Sequence, residues 1–162
     1  MAILSFIGMT NIAVGIVKEY FPNANLYEVF GVSSRGWTRN WTDIDQLNAV
    51  FGVMLNKKDR SARLCSEKWG EWGPVVLGGL WVEDMVIAWP IKLDLEEAVQ
   101  LMYSSGYTGT FNNTTLRWPV GPGYDEPYYI FHTPDRYIFV GVNSHEVTAR
   151  TTSPPPSVEA QT

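Results

Sequence analysis

The chain has 162 residues, 45% of them hydrophobic and 18% charged, which supplies one core and excludes a disordered or low-complexity polypeptide. Twelve Lys and Arg against 17 Asp and Glu leave a net charge of −5, which removes the electrostatic reason to expect nucleic acid or an anionic membrane as partner. Cys65 is the one cysteine, so no intrachain disulfide scaffold can form.

The opening MAILSFIGMTNIAVGIV has no basic residue ahead of its apolar stretch and is interrupted by Thr10 and Asn11, so it reads as folded structure rather than a signal peptide. No apolar run reaches the ~18 residues of a membrane span, and a soluble, cytoplasmic protein is expected. Thr10 or Asn11 caps a first helix to about Phe21, with Ile12, Ile16, Val17 and Tyr20 on its buried side. Residues 26–33 read as a strand, with Leu26, Glu28, Phe30 and Val32 on one face and Tyr27 and Val29 on the other.

Thr42, then Asp43 and Asp45, then Ile44, Leu47, Phe51, Met54 and Leu55 at helical spacing predict a second helix that Lys57 and Lys58 close. Residues 62–68 read as an edge or half-buried strand, and 75–82 with 85–91 read as a hairpin of two central strands joined at Glu83-Asp84. Asp94 and Glu97 make a capping box for a third helix, whose stripe is Leu95, Ala98, Val99 and Met102 and whose end is Gly106. Residues 110–120 are a strand, and 128–133 with 137–142 are a hairpin across Pro134-Asp135. The stretch TTSPPPSVEAQT, residues 151–162, has no core-forming pattern and reads as a disordered tail to a single domain of residues 1–150.

These elements predict an α+β fold in which a twisted antiparallel sheet of about five to seven strands is packed on one face by about three helices. Helix, strand and apolar hairpin occur over 42–91 and again over 94–142. That order fits two tandem helix-plus-strands units, and equally any antiparallel α+β chain.

No phosphate-binding glycine loop occurs, since Gly78-Gly79 lies inside a strand pattern, and neither His132 nor His145 has a partner at metal-ligand spacing. Neither cofactor nor metal is expected. The compositional anomaly is 7 Trp, 8 Tyr and 7 Phe, with Trp37, Trp41, Trp69 and Trp72 all in segments read as loops. Such indoles anchor interfaces and flat ligands, or else seal the ends of a small sheet. Together with Tyr124, Tyr128, Asp125 and Glu126 they are the expected contacts of a noncatalytic binding protein that engages a protein partner or a small organic ligand. The alternative is a small cofactor-independent isomerase, cyclase or hydrolase, in which His132, sharing a strand face with Tyr128 and Ile130, acts as general acid or base with Glu126 or Asp125. A third reading is a homodimer formed through the uncovered sheet face.

Overall fold

A computed structural model describes residues 3–152 and 154–160, so Met1, Ala2, Ser153, Gln161 and Thr162 of the expected domain and tail lie outside the described residues. The order is α1 (Phe6–Tyr20), β1 (Asn25–Val32), a 3-10 turn (Trp41–Asp43), β2 (Gln46–Leu55), β3 (Lys58–Ser66), then three short strands, β4 (Val76–Gly78), β5 (Trp81–Val82) and β6 (Asp84–Met85). It continues with α2 (Leu95–Ser104), β7 (Asn113–Pro119), β8 (Tyr128–His132), β9 (Tyr137–Gly141), β10 (Val147–Arg150) and β11 (Val158–Glu159). Antiparallel pairing orders the main sheet β10-β9-β8-β7-β1-β2-β3-β4, with β6 on β7 and β11 on β5. The fold is α+β and mostly sheet, with two helices rather than about three. Each helix precedes a meander of four strands, and the two meanders join where β1 pairs with β7.

The missing helix is the one expected from residue 42. After the 3-10 turn the chain extends as β2, which buries Leu47, Ala49, Phe51 and Val53 at period two. The segment satisfies both periods, because Leu47 and Phe51 belong to the helical stripe and to the alternating one. The strand wins through its partner: Asn56 and Lys57 take positive φ (52° and 64°), the two-residue hairpin turn whose twist matches the strands, and all of β3 pairs with β2 from Leu47 to Leu55. Residues 75–91 also depart from expectation, since β4, β5 and β6 are two or three residues each and end strands or satellites rather than central ones. Strand β10 had no apolar signal to announce it; its four residues are exposed or half-buried.

Helix α1 starts earlier than expected because Ser5, not Thr10, is its cap: Gly8 N–H donates to Ser5 Oγ at 3.0 Å. Thr10 instead sits inside the helix and donates its hydroxyl to Phe6 O at 2.9 Å. Phe6, Met9, Ala13 and Val17 of α1 join Leu95, Ala98, Val99 and Met102 of α2 in one core against the sheet. The capping box of α2 forms as read, and it does more than cap. Asp94 Oδ1 accepts from Leu95 N at 2.8 Å and from Ile7 N at 3.1 Å, so one carboxylate satisfies orphan donors in the first turns of both helices.

Substituting Asp94→Ala is expected to lower stability by about 2 kcal/mol, the upper end for a cap, because two helix starts lose an acceptor. Asp94→Asn retains part of it. The midpoint and slope of urea unfolding measure both variants, and a loss no larger than a few tenths for Asp94→Ala would contradict the shared role.

Candidate functional site

Alternation along the strands gives the sheet two different faces. Tyr129, Phe131, Ile138 and Val140 point into the helix-covered core, whereas Tyr128, Ile130 and Phe139 form a smaller cluster on the other side, with Tyr124 and Tyr137 against it. Strand β1 joins the second face through an irregularity. The β1–β2 register shifts between Leu26 and Glu28, making Tyr27 an extra residue, so Leu26 faces the core while Glu28 turns the other way. The strict alternation expected for residues 26–33 therefore fails at one residue, and that failure places a carboxylate directly across from Arg117 of β7.

Arg117 is 5% exposed and all sides of its guanidinium are used. Nε donates to Asp84 Oδ1 at 2.6 Å, Nη2 to Glu83 O at 2.8 Å and Nη1 to Pro155 O at 2.8 Å, and Glu28 Oε2 lies 3.8 Å from Nε. Burial pushes the Glu28 carboxyl up to about 8, and the neighbouring Asp84 adds to the rise, outweighing the Ser157 hydroxyl and Arg117. The rise lessens the excess negative charge that two buried acids would otherwise set against one guanidinium. Residues 154–157 cross this face, Ser157 Oγ donates to Glu28 Oε2 at 2.5 Å, and a cavity of about 260 Å³ remains between the segment, Phe30, Thr115, Ile130 and Tyr137. Sequence reasoning passed over Glu28, Asp84 and Arg117. Glu28 and Arg117 each stand as a charge within a predicted strand and Asp84 in a predicted turn, and nothing in a single segment says what pairs across it.

The residues singled out in the sequence fall in separate places. His132 is half-buried, stacked on Tyr137 (centroids 5.0 Å, 21°) and tilted against Trp37 (5.7 Å), with Nδ1 3.2 Å from Asn112 Oδ1 and 3.4 Å from Asn113 Nδ2. Asp125 and Glu126 lie beyond the opposite end of β8, about 13 Å or more away at the rise of an extended strand. Both are occupied: Asp125 accepts from Tyr128 OH at 3.2 Å, and Glu126 Oε1 accepts from Asn143 N and Ser144 N at 2.8 and 2.9 Å, holding the loop after β9. The fold does not bring His132 together with either carboxylate. Tyr124 packs on Phe139 and under Arg150, whose guanidinium carbon is 4.6 Å from its ring centre.

The four loop tryptophans do not surround one concavity. Trp37 is 47% exposed beside His132, and Trp72 is half-buried with its indole N–H given to Met9 O at 2.9 Å. Trp41 and Trp69 meet edge to face at 6.4 Å. With Ile3, Leu4, Ile44, Thr42, Asp45 and Gly70 they line an open groove of about 500 Å³ whose walls are mainly apolar. Trp69 Nε1 donates to Leu4 O at 2.7 Å, so the same indole that forms one wall fastens the segment that forms the other.

No helix among the described residues is long and apolar enough to cross a membrane, and no group of three or more His, Cys, Asp or Glu among them is placed to hold a metal ion. Comparison with protein-family models, curated proteins and solved structures gives no match to this chain.

The raised Glu28 carboxyl has a consequence for stability. The native state keeps a proton that the unfolded chain releases, so the unfolded chain binds fewer protons and stability falls as pH rises from 4.5 to about 8, by at most about 1.4 kcal/mol per pH unit. Glu28→Gln keeps a neutral hydrogen-bonding group and is expected to flatten this slope. Urea unfolding at pH 5, 6, 7 and 8 tests it, and equal slopes in the two proteins would show that Glu28 is ionised in the native state.

Proposed function

We propose that this is a noncatalytic binding protein that takes an apolar anchor side chain of a protein partner in the groove between Trp41 and Trp69. The observation that carries the reading is that these two indoles, held edge to face at the surface, line an open groove with Ile3, Leu4 and Ile44 instead of closing over one another. An open shape suits a side chain presented on a protein surface better than a free small molecule, which needs to be enclosed over most of its area. Ile3 (60% exposed) and Leu4 extend the apolar surface beyond the groove itself. The net charge of −5 favours a partner whose anchor is surrounded by Lys or Arg, through steering more than through affinity. Binding is favoured over turnover because the nearest polar partners of His132 are two asparagines, while the acids that would complete a catalytic pair are engaged elsewhere.

The neutral dye Nile red, whose emission rises in apolar surroundings, probes the groove without the repulsion an anionic dye would meet. Titration of the whole chain is expected to saturate at one site, with Trp41→Ala weakening it by roughly tenfold, about 1.4 kcal/mol, and Trp37→Ala leaving it unchanged. Equal affinity in wild type and a folded Trp41→Ala variant would refute the groove as a binding site. Loss of the far-ultraviolet circular dichroism of Trp41→Ala would assign the ring to sealing the sheet instead.

A further inference from the structure

The segment from Pro154 to Ala160 is seated on the molecule in the manner of a bound peptide. Its Pro155 carbonyl accepts from Arg117 Nη1 at 2.8 Å, and Ser157 Oγ donates to Glu28 Oε2 at 2.5 Å. Its Val158 and Glu159 add a strand to Val82 and Trp81, and Ala160 N donates to Leu80 O at 2.5 Å. The Glu159 carboxylate accepts from Gly79 N and lies 3.7 Å from Arg63 Nη2. A Cβ on Gly78 would stand 2.8 Å from Glu159 Oε2, so the Gly78-Gly79 pair clears room for this side chain. Main-chain pairing, a proline run and separate polar anchors are the means by which folded domains hold extended peptides.

The seat belongs to the main sheet through Arg117, Glu28 and Arg63, while the strand pairing of the strap is separate from it. The β5–β11 ladder is a two-stranded sheet of its own, two residues long on each side, so the strap can leave while the nine-stranded sheet stays paired. Only residues 151–153 join it to β10. Seated within its own chain, the strap leaves apolar side chains uncovered beside it: Val76, Leu77, Leu80, Met85 and Val158 are each more than a third exposed, and β4 is an open sheet edge.

We propose that this seat is an interface for a second copy of the chain, in which two molecules exchange straps reciprocally and bury the apolar residues around β4 and β5 between them. The occupant is a second copy because the seat reads the sequence Pro-Pro-Pro-Ser-Val-Glu, which every copy carries. Exchange makes the same contacts in both molecules and closes on itself as a two-fold dimer. A strap tethered by a short link competes at an effective concentration in the millimolar range, so the dimer is expected to populate towards about 1 mM and to dissociate on dilution.

Val82 and Val158 are direct cross-strand partners, which allows a decisive cross-link. In full-length chains carrying Cys65→Ser, one bearing Val82→Cys is mixed under mild oxidation with one bearing Val158→Cys. A covalent heterodimer then forms in quantity only if the strap of one chain occupies the seat of the other. The expected yield is at least about fivefold above a control that places the first cysteine at Glu19, and it grows with total concentration. Placing both cysteines in one chain and oxidising it when dilute locks the strap at home. That form is expected to sediment as a monomer at every concentration, while its reduced form reaches dimer mass near the top of the range. Equal yields in the two mixtures, or equal masses of locked and reduced protein, would overturn the exchange. Failure of the dilute double-cysteine chain to lock would overturn the seat itself.

Discussion

Arg117 imposes the arrangement of the whole second face. A guanidinium that is 5% exposed loses most of its hydration, a penalty of several kcal/mol that only close anions and carbonyl oxygens offset. Its four partners come from three places in the chain: Glu28 on β1, Glu83 and Asp84 at the start of β6, and Pro155 in the C-terminal strap. Meeting that demand draws β6 onto β7, turns Glu28 outward at the Tyr27 bulge, and gives the strap a polar place to land. The upward shift of the Glu28 carboxyl fits this arrangement, since two ionised carboxylates against one guanidinium would leave a buried excess charge.

The helix-covered face obeys a simpler requirement. Two short helices and a long sheet bury aromatic and aliphatic side chains in one cluster, with Phe6 set edge to face against Tyr129 at 5.6 Å. The tryptophans work mostly at the margins of that cluster. Trp69, Trp72, Trp81, Trp89 and Trp118 each donate the indole N–H to a residue of another segment or turn, fastening loops that have little regular hydrogen bonding of their own. Five of the seven tryptophans thereby have a structural use. Trp41 and Trp69 also wall a groove, and Trp37 with His132 forms a separate aromatic contact.

Local signals were legible wherever one segment contains its own explanation. The Asp94 and Glu97 box, the stripe from Leu95 to Met102 and the Pro134-Asp135 turn are complete within a few residues, and each element forms where its residues place it. Residues 46–55 were not legible, because Leu47 and Phe51 suit a helix and a strand alike and the hairpin turn at Asn56-Lys57 lacks the glycine that would announce it. The helix start at Ser5 was hidden by an apolar run with a second set of capping residues inside it. Of the site, the indoles at 41 and 69 were visible as unusual loop residues, while their meeting across 28 positions was not.

What the sequence determined unaided is a net charge of −5, an α+β alternation of elements, and the local structure of segments whose capping, turn and periodicity agree. Tertiary structure decided the rest: that residue 46 begins a strand, that one extra residue at Tyr27 sends Glu28 to the face of Arg117, and that a proline run crosses the sheet. The reason is physical. A cap or a turn is settled by neighbours along the chain, whereas strand partnership and the pairing of a buried charge are settled by residues brought close only when the whole chain has folded.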